Sequence, residues 1–215
     1  TSVAGNSTGS QIIVAQSPGD VYVGTYADSI WSLTAQNLGG NWAGVASSSD
    51  GSILYAAPAT DEAGNQQFLY KYSGTWVQLP LYGNWTSVAS SSDGSVVLAT
   101  QGVQQGGGLG SLFISLDGGN TAGIAPGTIA GIWTSAAISA DGTVLVAGQL
   151  SDDSQPSGYP GQIWTSTDSG TTFSATLSPQ YGWNSVAMNS TGSLMAAASS
   201  DPAYTIHIST DFGAT

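Results

Sequence analysis

The 215-residue chain has no cysteine and no arginine, one lysine (Lys71) and one histidine (His207). Without cysteine there is no disulfide framework and no thiolate metal site. Without cationic groups nothing displaces the counterions of a nucleic acid or draws the chain to an anionic bilayer, so neither partner is expected. Charge of any kind is scarce, at 7% of residues, and it is lopsided: 13 acids, only Glu62 being a glutamate, give a net charge of −12. No apolar run approaches the ~20 residues that span a bilayer, so no membrane insertion is expected. No secretory leader is recognisable, and the chain reads as a mature or excised piece. Helix lacks support too, because no 3.6-residue periodicity persists and Gly, Ser and Thr dominate. What is present is 40% hydrophobic residues, enough for a packed core despite 30 glycines. The Ser/Thr/Gly/Asn-rich, nearly Lys-free composition leads to an expectation of an extracellular or cell-surface protein. Three Asn-x-Ser/Thr sequons, at Asn6, Asn84 and Asn189, carry little weight in so Ser/Thr-rich a chain.

One stretch recurs. "NWAGVASSSDGSILYAA" begins at Asn41, "NWTSVASSSDGSVVLAT" at Asn84, "IWTSAAISADGTVLVAG" at Ile132 and "GWNSVAMNSTGSLMAAA" at Gly182, while "TSVAGNSTGSQIIVAQ" opens the chain. The anchors Trp42, Trp85, Trp133 and Trp183 are 43, 48 and 50 residues apart. A repeat of that length means a solenoid, a propeller or an array. Within one unit, "TSVAS" and "SVVLAT" flank an Asp-Gly pair, which favours a tight hairpin turn. "SLFISLD" is a third strand and "TAGIAPG" a weak fourth. Four short strands per unit predict an all-β fold: a β-propeller of about five four-stranded antiparallel blades, the last lacking its fourth strand. The units run over approximately 1–41, 42–84, 85–132, 133–182 and 183–215, in a single propeller domain or part of one. Small residues suit the crowded innermost strand, and blades buried on both faces exclude charge. The absent fourth strand leaves three expectations: a three-stranded last blade, a strand supplied by a partner, or membership of a longer chain with six or seven blades. The last is favoured.

The turn after the third strand is more distinctive. "STDSGTTF" carries Ser166, Asp168 and Gly170; "SLDGGNTA" carries Ser115, Asp117 and Gly119, with Ala122 where the first has an aromatic residue; "STDFGAT" carries Ser209, Asp211 and Gly213. The first two repeats keep only a Tyr/Trp frame, "YADSIW" and "YSGTW". These turns resemble the Asp-boxes of BNR, sialidase-like propellers. The resemblance implies a box between strands three and four and a folding role for its residues. It does not extend to catalysis, because the arginine triad of the sialidases has no counterpart here.

Function is expected on the opposite rim, where the second-to-third and fourth-to-first connections vary: "APATDEAGNQQ", "TQGVQQGGGLG", "QLSDDSQPSGYPGQ" and "SSDPAY". Acids outside the turns are few: Asp61, Glu62, Asp152, Asp153 and Asp201. They read as solvated loop acids rather than a glycosidase pair, which needs two carboxyls across a cleft. His207 alternates along a strand and is not expected to act as a base. "SDD" and "TDEAGN" offer oxygen ligands, but without EF-hand spacing no metal or cofactor is expected. Neutral, aromatic and amide-bearing surfaces suit sugars. The leading expectation is therefore a non-catalytic, lectin-like module binding through Tyr82, Asn84 and Trp85, and through Tyr181 and Trp183. Its expected partners are glycans or other extracellular proteins. A competing reading makes each Trp an interblade plug. The alternative function is a building block of a surface assembly, possible by self-association. A glycoside hydrolase ranks third.

Overall fold

The computed structural model describes residues 2–61, 63–151, 161–200 and 206–214. Its regular structure is entirely β, in five antiparallel sheets. Blade one comprises β1 (Ser2–Gly5), β2 (Gln11–Ala15), β3 (Val21–Ala27) and β4 (Ile30–Ala35). Blade two comprises β5 (Trp42–Ser47), β6 (Leu54–Pro58), β7 (Gln67–Tyr72) and β8 (Trp76–Gly83). Blade three comprises β9 (Trp85–Ser90), β10 (Val97–Gln101), β11 (Leu112–Ser115) and β12 (Gly123–Ile124). Blade four comprises β13 (Ile132–Ile138), β14 (Leu145–Leu150), β15 (Ile163–Ser166) and β16 (Ser174–Ala175). Blade five has three strands, β17 (Trp183–Met188), β18 (Met195–Ser199) and β19 (Ile206–Ser209). Each blade is a meander in which every strand pairs with its sequence neighbour.

The blades stack through their first strands, β1, β5, β9, β13 and β17, each packed on the next. Small residues permit this. A Cβ on Gly44 would lie 3.1 Å from the Val88 backbone nitrogen, so glycine there lets two inner strands approach. Polar backbone groups on this packed surface must find partners. They do so from blade to blade: Ser7 N–H donates to Ser49 O, Ser49 to Ser92, Ser92 to Ala140 and Ala140 to Ser190, at 2.7–2.9 Å. At the other end of the inner strands, Thr86 and Thr134 hydroxyls donate to the Trp133 and Trp183 carbonyls of the following blade, at 2.8 and 2.6 Å. The core is accordingly a series of interblade clusters, one at each junction. The series does not close. Val45, Val88 and Val186 are buried against the preceding blade, whereas their counterpart Val3 is 66% exposed. Among the described residues, β1 and β17 share no comparable contact, so the five blades form an arc.

The first-to-second turns depart from the sequence expectation. A two-residue hairpin turn of the Asp-Gly type needs positive φ at both residues. Gly51, Gly94 and Gly142 have it and the preceding aspartates do not. Six residues separate the strands instead, closed by a buried serine: Ser91 Oγ donates to Asp93 at 2.6 Å and accepts the Val96 N–H at 3.0 Å. Ser48 and Ser139 do the same in their blades. In blades one and five an asparagine replaces the serine, and Asn6 Oδ1 and Asn189 Oδ1 accept the Gln11 and Leu194 N–H groups at 3.1 Å. Two of the three sequons are therefore turn clamps.

The third-to-fourth turns use the same device. Ser115, Ser166 and Ser209 each donate to their aspartate (Asp117, Asp168, Asp211) and accept the N–H of Gly119, Gly170 and Gly213. Asp117 and Asp168 also accept the N–H and hydroxyl of Thr121 and Thr172. Where the Ser-x-Asp-x-Gly turn is missing, cross-strand ring pairs take over: Tyr26–Trp31 at 5.3 Å and Tyr72–Trp76 at 5.4 Å. Both turn types occupy one rim, joined by Gly118 N–H to Ser95 O at 2.7 Å and Ser169 N–H to Thr143 O at 3.0 Å.

These clamps hold the carboxyls of Asp50, Asp117, Asp141 and Asp168 down at about 2. The leading causes are the Ser48 hydroxyl, the Thr121 N–H, the Ser139 hydroxyl and the Thr172 hydroxyl respectively. A depressed folded pKa stabilises above the unfolded value and is lost as pH falls through the folded one. The melting temperature should therefore hold down to roughly pH 5 and fall between roughly pH 4 and 2. Circular-dichroism melts check this, and replacing all four with Asn should flatten that limb.

Candidate functional site

The opposite rim carries a cleft of about 470 Å³ between blades one and two, with Asn41, Trp42, Pro58, Asp61, Gln67 and Tyr70 among its walls. Its floor is a two-bond bridge, Gly19 N–H to Gly40 O at 2.9 Å and Gly40 N–H to Gly19 O at 2.8 Å. The bridge draws the connection after β2 against the one before β5. Trp42 is buried and directs Nε1 to Gly19 O at 3.4 Å, tying the first-strand anchor to the floor. Asn41 fixes the wall from both its ends: its carbonyl accepts Ala59 N–H at 2.8 Å and its Nδ2 donates to Thr60 O at 3.2 Å.

Asp61 accepts the Ala63 and Asn65 N–H groups and Asn65 Nδ2, at 2.7–2.9 Å. The Asn65 side chain leads in lowering its pKa. Asp61 therefore stays an anion and an acceptor, opposite to the protonated carboxyl that glycoside cleavage requires. Among the described residues no carboxyl with a resolved shift is raised. Glu62, Asp152, Asp153 and Asp201 lie outside the described residues, and no group of three metal-ligating side chains occurs within them.

Aromatic rings stand beside the cleft. Tyr70 meets Trp42 edge-on at 5.7 Å. Phe68 lies two residues before Tyr70 on β7, across a shift in the β7–β8 register between the two. Phe68 pairs with Tyr82 directly across β7 and β8, ring centroids 5.1 Å apart. Phe68 is 41% and Tyr82 51% exposed. Large aromatic rings that could be buried yet stand open are the informative feature of this rim.

The sequence-derived candidates separate on burial. Tyr82 is on the surface. Trp85 and Trp183 are 1% and 0% exposed, so neither can stack on a ligand, which corrects the expectation for both. They are interblade plugs, clustered with residues of the blade before. The indole needs a dry junction more than the loop rim needs an indole. Asn84 is half-buried and holds its neighbouring loop, Nδ2 to Val103 O at 2.6 Å. Tyr181 is half-buried and packs on Trp183 at 5.7 Å and His207 at 5.8 Å. It belongs to the junction of blades four and five, a different site from Tyr82. Phe68, Tyr70 and Asn41 were not among the sequence candidates, and Gln67 entered only as the end of the variable loop "APATDEAGNQQ". The signal was available for the aromatics: the alternation "FLYKY" sets three rings at every second residue of one strand.

No family model matches the chain, and no curated protein does. Solved structures do. A GH74 enzyme of Niastella koreensis superimposes with a TM-score of 0.67 at 14% identity over 92% of this chain and 32% of its own. The GH74 xyloglucanase of Xanthomonas campestris gives 0.67 at 13% identity over 99% and 36%. A chain of a nidogen/laminin complex gives 0.61 at 15% identity over 88% and 70%. The chain thus spans about a third of the length of the two GH74 proteins. At these identities the likeness shows the fold, a β-propeller.

Proposed function

We propose that the chain is a non-catalytic carbohydrate-recognition module that works outside the cell and binds on the variable-loop rim of blade two. The observation that carries this reading is the open ring pair Tyr82–Phe68 beside a cleft walled by Tyr70, Asn41, Gln67 and Asp61. Sugar faces stack on such rings while their hydroxyls take amide and carboxylate partners. The turn aspartates resemble those of Asp-boxes in sequence, and Asp117 and Asp168 are engaged within their turns, which supports placing ligands on the other rim. The extracellular part of the reading draws support from Lys71, the one residue a trypsin-like protease would cut after. It lies inside β7 with Nζ held by Gly118 O at 2.9 Å.

A glycan array identifies the sugar, and titration calorimetry with that sugar tests the site. Tyr82→Ala and Phe68→Ala are each expected to weaken binding about tenfold, the equivalent of about 1.4 kcal/mol. Both side chains are exposed, so the fold should hold. Tyr181→Ala should leave affinity unchanged. An array blank for every sugar, or affinity indifferent to Tyr82→Ala, rejects the proposal.

A further inference from the structure

Blade five leaves one strand edge open. β15 is covered by β16 and β11 by β12, but β19 ends its sheet, with Ile206 and Ile208 about two-thirds exposed. Beside this edge is a cavity of about 330 Å³, walled by Val146, Ile163 and Thr176 of blade four and Met195, His207 and Gly213 of blade five.

Strand register shows what shape that cavity has. Val97, Leu145 and Met195 pair with Ser115, Ser166 and Ser209, so they are equivalent positions. By the same register the cavity walls correspond to Leu98, Leu112 and Ala125 of blade three and to Leu145, Trp164 and Gly170 of blade four. The first five of these cluster with Phe173 at the junction of blades three and four, and a Cβ on Gly170 would sit 3.6 Å from the Phe173 ring. Phe173 is the aromatic residue that follows the Asp168 turn. It is buried, and its N–H donates to Pro126 O at 2.9 Å. One junction earlier the same position holds Ala122, and there Tyr55 and Leu79 of blade two occupy the space. A wall of large side chains accompanies the small residue, and a wall of smaller ones accompanies the ring. Val146 and Thr176 are of the second kind.

The entrance is formed as well. Ser209 donates to Asp211 at 2.7 Å and accepts Gly213 N–H at 2.9 Å, matching Ser166 with Asp168 and Gly170. The carbonyl equivalent to Pro126 O belongs to Leu177, since Ala125 and Thr176 N–H groups donate to Leu112 O and Ile163 O. Leu177 O accepts no backbone hydrogen bond among the described residues.

We propose that the β19 edge and this cavity form a docking site for a β-strand led by an aromatic side chain and continuous with the Asp211 turn. The ring fills the cavity, its N–H bonds Leu177 O, and the next two residues pair with Ile208 and His207, as Ser174 and Ala175 pair with Thr165 and Trp164. The site is independent of the sugar reading.

The test appends Phe-Ser-Ala-Thr-Leu-Ser, a copy of residues 173–178, after Thr215. A tail that fails to dock leaves the fold as it was, so the comparison stays readable. The melting temperature should rise by about 5 °C. Amide exchange over Ile206–Ser209 should slow by about tenfold or more. The same tail with Ala for Phe should lose most of both effects. No gain with the Phe tail, or equal gains with Phe and Ala, overturns the proposal. So does protection by the free hexapeptide with none from the fused tail, which would assign the site to a separate chain.

Discussion

Trp133→Ala should destabilise the fold by about 3–5 kcal/mol, the range for deleting a buried tryptophan. In a chain of this size that is a loss of about 6–20 °C in melting temperature. Trp133 is fully buried and joins two blades: Leu98 and Leu112 lie on one side, and Leu145 and Trp164, its ring 6.1 Å away, on the other. The junction cannot collapse onto the hole, because the Trp133 carbonyl is fixed by the Thr86 hydroxyl and the turns by Ser92 N–H to Ala140 O. The indole N–H sharpens the test. Trp133 Nε1 is buried without a hydrogen-bond partner among the described residues, whereas Trp85 Nε1 donates to Gln67 O at 2.9 Å. Trp133→Phe removes an unsatisfied donor and keeps most of the apolar area, while Trp85→Phe strands a carbonyl. Denaturant melts should rank Trp133→Ala as the most damaging and Trp133→Phe as milder than Trp85→Phe. A cost below about 1 kcal/mol for Trp133→Ala would mean that the junction does not depend on the plug.

The fold was legible because stacked blades pose one packing problem repeatedly, and the answer is written each time in the same residues. Trp at a fixed phase, small first strands and Asp turns gave the blade count, the strand count and the short last blade without reference to any one contact. The candidate site was less legible, for a physical reason. Whether an aromatic faces a junction or solvent depends on the neighbouring blade, which no local window contains. Tyr55 and Tyr82 are both strand tyrosines in blade two, yet Tyr55 is buried with its hydroxyl on Gly94 O at 2.7 Å and Tyr82 stands open. For Trp85 the sequence left two readings, ligand contact beside Tyr82 and interblade plug, and its burial favours the second. The Gly19–Gly40 bridge, which makes the cleft, joins residues 21 positions apart that carry no side chain to signal the meeting. The arc was hidden for a similar reason, since Val3 and Val88 occupy identical motifs and differ only in having a blade beside them.

Ser139→Ala should cost about 1–3 kcal/mol, although it removes one oxygen atom. Ser139 is fully buried, donates to Asp141 at 2.6 Å and accepts the buried Val144 N–H at 2.9 Å. Alanine leaves that N–H without an acceptor in a site that water does not reach, and a buried polar group left unpaired is penalised more heavily than a lost bond. Asp141 simultaneously loses the leading cause of its low pKa, so the variant should also unfold at higher pH during acid titration. The chain itself supplies the rescue. In blades one and five the turn reads Asn-Ser-Thr, with Asn189 Oδ1 accepting Leu194 N–H at 3.1 Å and the Thr191 hydroxyl at 3.3 Å. Ser139→Asn combined with Asp141→Thr transplants that pair. The double variant should recover most of the stability lost by Ser139→Ala, whereas Ser139→Asn alone sets the amide oxygen against the Asp141 carboxylate. Coupling energies between touching residues run to about 0.5–3 kcal/mol, so a four-member cycle measured by urea melts resolves the effect. If the double variant is no better than the sum of its parts, the two turn sequences are not interchangeable clamps, and the repeat is held at this rim by the strands rather than by the serine.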